Sequence, residues 1–211
     1  RQEAESALRE SERIYRQAIE AAGAVPYYQD YQFDRYQFMG QGIQKITGYT
    51  AEEMTSSLWN TISQEHELRG DLAGLEVNEA TQRVRKGELS YWRSDVRIIT
   101  KDGRSKWIAD SAIELFDESE HSYASIGIMQ DITERKQIEA SLRQREAMLA
   151  ATMYAAEQFL KSSDWRLSME HVLEYLGKAF HASHAYLFEH SVGADELEYS
   201  TLKYEWTALG Q

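Results

Sequence analysis

The chain has 211 residues, no cysteine and a formal net charge of −12, which excludes disulfides, Cys-based zinc sites, nucleophilic thiols and thioether-linked chromophores. The same charge makes phosphate backbones and anionic lipid surfaces poor partners, because binding them rests on clustered Lys and Arg. No run approaches the ~20 apolar residues that cross a bilayer, and the length predicts one full domain plus part of another at ~150 residues per domain. Nucleic-acid binding and membrane contact by this segment are therefore not expected. The sequence starts at Arg1 without Met and is expected to continue upstream.

Residues 1–22 are charged and helix-favouring, with Ala4, Leu8, Ser11, Tyr15, Ala18 and Ala22 at alternating four- and three-residue steps; that spacing predicts a coiled-coil-type helix. Gly23 and Pro26 end it. Two short aromatic strands follow, "VPYYQDY" and "RYQFMG". In "IQKITGYTAEEM", Gly48 closes one short helix, while Thr50 and Glu53 form a capping box expected to open the next. Residues 71–86 read as a longer helix ended by Gly87.

The period then changes to two, and "YWRSDVRIIT", "SKWIADSAIELF" and "SYASIGIMQ" read as strands joined at Asp102-Gly103 and at "DESEH". Strand, strand, helices and three more strands predict an α+β fold, a five-stranded antiparallel sheet with helices on one face. From Thr133 to about 160 the text is helical again, with Ile138, Leu142, Arg145, Leu149, Thr152, Ala156 and Phe159 on a four-three seam. Arg145 and Thr152 weaken that seam and leave its register adjustable. The competing reading is a helix packed on its own domain. "RQEAESALRESERIY" and "RKQIEASLRQREAML" also match at an offset of 134, as tandem modules with repeated connectors would. Beyond 160 come one helix and two strands, too little for a closed α/β domain.

"ITGYTAEEM", "KDGRSKW", "IGIMQDITERK" and the aromatic opening strands together resemble the PAS sensor family over residues 13–136. Residues 150–211, with "SSDWRLSMEHVLEYLGKAFHASHAYLF" and "YEWTALG", resemble the first half of a GAF domain. The expected organisation is an N-terminal helix at 1–22, a PAS domain at 23–132, a signalling helix at 133–160 and a partial GAF segment at 161–211. The resemblance implies a sheet that can enclose a small ligand and a sensory rather than catalytic role, upstream of a histidine kinase or diguanylate cyclase. Neither output domain is visible in the text.

At Asp131-Ile132-Thr133 a strand runs into a helix with no loop. Asp131 can accept N–H groups of the first helical turn, with Glu134 completing a capping box, and can pair with a cation on the neighbouring strand. The resemblance implies that Asp131 and Thr133 tie the helix start to the hairpin bearing "GRSKW", through Arg104 or Lys106 beside Trp107. The plainer reading is a helix cap alone. Strand alternation puts Trp92, Val96 and Ile98 on one face and Ile126 and Ile128 on another shared face; with Tyr28 and Phe38 these are the pocket candidates, and simple core filling is the alternative for all of them.

The absence of cysteine argues against a flavin-adduct photosensor and an attached bilin. Haem needs an axial ligand, and His66, the only histidine before the last sheet strands, matches the family's polar loop rather than its haem-bearing helix. His181 and His184 form an H-x-x-H pair lacking an evident third metal ligand. No clustered nucleophile, metal or acid/base set points to an enzyme. The expectation is a cytoplasmic regulatory segment, a homodimer through its helices that takes a small ligand of unspecified kind, from a parent that membrane attachment would also suit; the alternative is a ligand-free dimerisation scaffold.

Overall fold

The computed structural model describes residues 2–33, 35–161, 164–194 and 196–208, and the chain divides into two compact units, 1–136 and 137–211. Ser162, Ser163, Leu209 and Gly210 of the GAF-like text lie outside the described residues, as do the side chains of Ala4 and Leu8 of the first seam.

In the first unit, α1 (Gln2–Ala21) ends where Gly23 adopts a φ of +65° and donates its N–H to the Glu20 carbonyl at 2.9 Å, a left-handed stop that a side chain would disfavour. Then come β1 (Ala24–Asp30), β2 (Tyr36–Met39), α2 (Ile43–Thr47), α3 (Ser56–Ile62), β3 (Ser63–Leu68), α4 (Val77–Arg85), β4 (Trp92–Ile99), β5 (Ser105–Phe116) and β6 (Ser122–Asp131). The sheet has six strands in the order β2-β1-β6-β5-β4-β3, every pairing antiparallel.

The expected five-stranded sheet thus gains an edge strand, "SQEHEL", whose polar text hid it. An edge strand pairs on one side and carries charge to discourage further pairing. Two helix expectations also change. The 71–86 stretch is a 3-10 turn at Gly70–Leu72 followed by α4, separated where Gly74 takes a φ of +85°. Thr50 and Glu53 do bond reciprocally, Thr50 N–H to Glu53 at 2.9 Å and Glu53 N–H to Thr50 at 3.3 Å. They close a turn, however, and Thr55 caps α3.

Helices α2 and α3 cover one sheet face, where Val25, Tyr27, Met39, Val96, Ile98, Ile108 and Met129 pack with Ile43, Ile46, Met54, Trp59 and Ile62. Each such large aliphatic side chain contributes roughly 1.5–3 kcal/mol by leaving water. Leu72, Ala80 and Val84 form a smaller cluster under α4. The boundary between the two units falls within α5 (Thr133–Lys161).

The second unit holds the rest of α5, a 3-10 turn at Trp165–Ser168, α6 (Met169–Ala179) and an antiparallel hairpin of β7 (His184–Val192) and β8 (Glu198–Thr207). Gly177 lies directly against the Trp206 ring, which a Cβ would meet at 2.2 Å. No helix among the described residues is long and apolar enough to cross a membrane.

Candidate functional site

A cavity of about 320 Å³ opens between the helix-bearing sheet face and α3 and α4, lined by Tyr27 and Gln29 of β1, Tyr31 just after it, Tyr36 of β2, Trp59 and Asn60 of α3, His66 of β3, Trp92 of β4, and Asp110, Ala112 and Glu114 of β5. Alternation on β5 sends Ile108, Asp110, Ala112 and Glu114 to this one face. Asp110 is only 7% exposed. Its carboxylate accepts from the Tyr27 hydroxyl at 2.9 Å and from Trp92 Nε1 at 3.1 Å, both neutral donors. Burial pushes its pKa up to about 6 despite those two bonds, since removing a carboxylate from water penalises the charged form. Burial, and then the Asp110 charge, hold the Tyr27 phenol well above its ordinary value. The Tyr36 ring meets the Tyr27 ring edge-on at 5.4 Å.

Gly127 makes this arrangement possible. It pairs with Tyr27 on one side and Ala112 on the other, and a Cβ there would stand 2.6 Å from both the Tyr27 ring and the Ser111 carbonyl. Across β1 and β6, the cavity face is therefore Tyr27, Gln29, Ser125, Gly127 and Met129.

Of the pocket candidates, Trp92 alone lines the cavity. Val96 and Ile98 share its face but are fully buried beneath the helices as core. Tyr28, Phe38, Ile126 and Ile128 lie on the opposite face: Tyr28 pairs with Phe38 and Ile126, and Phe38, Ile126 and Ile128 are 53%, 46% and 41% exposed. The reason is that Tyr27 and Tyr28 are both aromatic, so alternation does not choose between them. On β6 the inward residues beside the cavity, Ser125 and Gly127, are small or polar because the Tyr27 ring and the cavity need the room, which locally reverses the usual apolar-inside rule. His66 is likewise not in a loop: it sits on β3, its Nδ1 3.5 Å from Ser94 Oγ, and burial lowers its pKa.

At the other end of β5, Asp131, Thr133, Lys106 and Trp107 come together. Asp131 Oδ1 accepts from the Thr133 N–H at 3.0 Å and its hydroxyl at 2.6 Å, while Oδ2 meets Lys106 Nζ at 2.9 Å. Lys106 Nζ also donates to the Lys45 carbonyl of α2 at 3.2 Å. Trp107 is gripped by its backbone: its N–H donates to Thr133 Oγ1 at 3.0 Å and its carbonyl accepts from Ile132 N–H at 2.9 Å. The Asp131 carboxyl is pushed up by burial and pulled down further by Thr133 and Lys106, ending below the ordinary value. Arg104 takes no part. It pairs with Asp102 inside its own hairpin at 2.8 Å, since its position in the turn points it to solvent. Nor does Glu134 close a capping box; among the described residues no hydrogen bond joins it to Asp131, whose backbone continues the β5–β6 ladder opposite Ile108.

A second attachment escaped the sequence reading. Asp95 of β4, on the sheet face away from the cavity, is 4% exposed and meets Arg69 at 2.7 Å, Lys136 at 3.1 Å and Arg135 at 3.3 Å. Glu67 bridges Arg69 at 2.5 Å and Lys136 at 2.6 Å, and Lys136 Nζ lies 4.3 Å from the Trp107 ring centroid. Burial raises the Asp95 pKa, but its bonds to Arg69 and Lys136 outweigh that and leave it lowered. The one available signal was "DITERK" itself: two cations in the first turn of a helix that leaves the end of β6, with Asp95 outward on β4, two strands away.

Among the described residues no group of His, Asp and Glu is arranged to hold a metal ion. Residues 36–129 match the PAS fold family. A curated relative, the methanogenesis regulatory histidine kinase FilI of Methanothrix harundinacea (strain 6Ac), is 31% identical over 113 residues, 54% of this chain and 13% of that one; the chain thus spans about an eighth of that relative's length. Similar solved structures include the N-terminal domain of a diguanylate cyclase with a PAS/PAC sensor from Marinobacter aquaeolei, at 23% identity and TM-score 0.43 over 54% of this chain and 98% of that one. Another is a sensory box histidine kinase/response regulator from Burkholderia thailandensis E264, at 20% identity and TM-score 0.49 over 64% and 97% of the two chains. The match over residues 36–129 supports a PAS domain in that part of the chain.

Proposed function

We propose that the chain is a sensory input region of a signal-transduction protein, in which the PAS domain relays occupancy of its cavity through α5 to a downstream GAF-type domain and an output domain of histidine kinase or diguanylate cyclase type. One observation carries this reading: α5 begins on bonds to β5 and β6, the strands that also carry Asp110 and Gly127 at the cavity. Lys106, Ile108 and Asp110 alternate along one face of β5, so a displacement at Asp110 has a short covalent route to the Asp131 clasp. For such a relay to switch, two packings of α5 must differ by only a few kcal/mol.

The partner assigned to α5 is a second copy of the chain. Ile138, Leu142, Leu149 and Phe159 of its seam are exposed in the single chain, as are Ile14 and Tyr15 of α1, and an apolar seam on a charged helix favours a helical partner. The open apolar side chains Tyr186, Phe188 and Leu202 on the hairpin, with α6 seated through Gly177 on Trp206, support the GAF reading of the second unit. The segment is read as cytoplasmic.

Because the chain has no cysteine, single thiols report cleanly. Leu149→Cys is expected to cross-link between copies under mild oxidation and Ala147→Cys, off the seam, to do so several-fold less. Adding Asp131→Ala is expected to change that ratio with the fold retained by circular dichroism. Monomeric behaviour, or an unchanged ratio, would sink the relay.

A further inference from the structure

We infer that the cavity binds a small organic cation, its ammonium seated on the Asp110 carboxylate among the rings of Tyr27, Tyr36, Trp59 and Trp92. This rests on the sensory reading and names the ligand class for the same cavity.

A carboxylate removed from water requires a proton or a cation. Among the described residues Asp110 has two neutral donors and no ion pair, so one hydrogen bond reaches each oxygen and further acceptor capacity remains at each. Its contrast with the other buried acid is direct: Asp95, on the outer face, meets Arg69 at 2.7 Å and Lys136 at 3.1 Å.

The walls point to the same chemistry. Aromatic faces attract cations, and carboxylates with several rings are the usual recognition set for alkylated ammonium groups. A second carboxylate, Glu114, lies four residues further along β5 on the same face and is engaged by the hydroxyls of Tyr31 and Ser122. The opposing charge is accounted for: Arg85, the guanidinium that the described residues bring to the lining, lies 4.2 Å over the Tyr31 ring, and burial lowers the pKa of His66, which favours its neutral form. An anionic ligand would face two carboxylates. The volume of about 320 Å³ is at the small end of the ~300–1,000 Å³ of ligand sites, which suits an amine of modest size.

The test is titration calorimetry on the whole chain with choline and benzylamine, each against its uncharged counterpart, 3,3-dimethyl-1-butanol and benzyl alcohol. At least one amine is expected to bind about tenfold or more tighter than its counterpart, and Asp110→Asn to abolish that preference. Should Asp110→Asn not fold, Tyr36→Leu serves instead: it should weaken the amine more than the alcohol. Equal affinity for charged and uncharged probes, preference retained in the variants, or no amine binding at millimolar concentration would overturn the assignment. The two readings separate, because an uncharged compound that binds the cavity and shifts the α5 cross-linking ratio removes the cation while leaving the sensor, whereas amine binding with no effect on that ratio does the reverse.

Discussion

Asp95 and Asp110 lie on neighbouring strands of one sheet, nearly equally buried, and facing opposite ways. On the outer face, Asp95 gathers three cations, two of them from the first turn of α5. On the helix-bearing face, Asp110 has only a phenol and an indole. Burial acts the same way on both, and the partners decide the result: one carboxyl ends below its ordinary pKa and the other is pushed up to about 6. A fold that can neutralise one buried carboxylate so thoroughly and leaves its neighbour to neutral donors has divided the work. The outer acid fastens a helix; the inner one is poised to take charge from elsewhere.

The largest effect that would break this contrast is expected from Asp95→Ala. Removing one partner of a buried ion pair costs ~3–5 kcal/mol, and because Arg69 and Arg135 are about half exposed the expected loss is roughly 2–3 kcal/mol, read by urea unfolding at pH 7. Stability unchanged within error would mean that the cluster is solvated charge.

The next effect has the opposite sign. Because the folded-state pKa of Asp110 is raised, this group stabilises the folded state fully below its unfolded value near 4, and that contribution is lost as pH climbs through about 6. The pKa difference caps the loss at roughly 3 kcal/mol. Asp110→Asn keeps both neighbours bonded, its amide oxygen toward Trp92 and its NH₂ toward the Tyr27 oxygen. The variant is therefore expected to equal or exceed the wild type at pH 8 by about 2 kcal/mol and to lose that advantage at pH 4. For Asp95 the sign reverses: its lowered pKa gives stability that is present above about 4 and lost as pH falls through the folded value. Parallel pH profiles for the two variants would remove the distinction drawn here.

The sequence revealed the fold where local chemistry and tertiary packing agree. The β4 alternation, the Asp102-Gly103 turn and the strand-to-helix change at Asp131 were legible because turn residues and period carry them. It misled at β6, where an inward Gly127 makes room for Tyr27 and pushes Ile126 and Ile128 outward, so that a rule built for filled cores failed beside a cavity. It was silent on β3, since an edge strand needs little hydrophobic text. It was also silent on Asp95, whose partners lie 26 to 41 positions away, after β3 and in the first turn of α5, and meet it only in the folded sheet.

The smallest effect concerns whether the two attachments of α5 act as one. Asp131→Ala removes the acceptor of the Thr133 N–H and hydroxyl and takes the carboxylate from Lys106, while Lys106 keeps the Lys45 carbonyl and Thr133 can still accept from the Trp107 N–H. A lost cap with a partly exposed ion pair is worth about 1 kcal/mol. If Asp131 and the Asp95 cluster hold the same first turn, cutting either one loosens that turn and devalues the other. The double variant should then lose less than the sum of the singles, by 0.5 kcal/mol or more on the scale of ~0.5–3 kcal/mol found for coupled neighbours. Faster exchange of the α5 amides in its first turns should already appear in either single variant and rise little further in the double variant. Strict additivity would instead mean two independent anchors, and a signal arriving along β5 would then have to move only the Asp131 end of the helix while the Asp95 end stayed fixed.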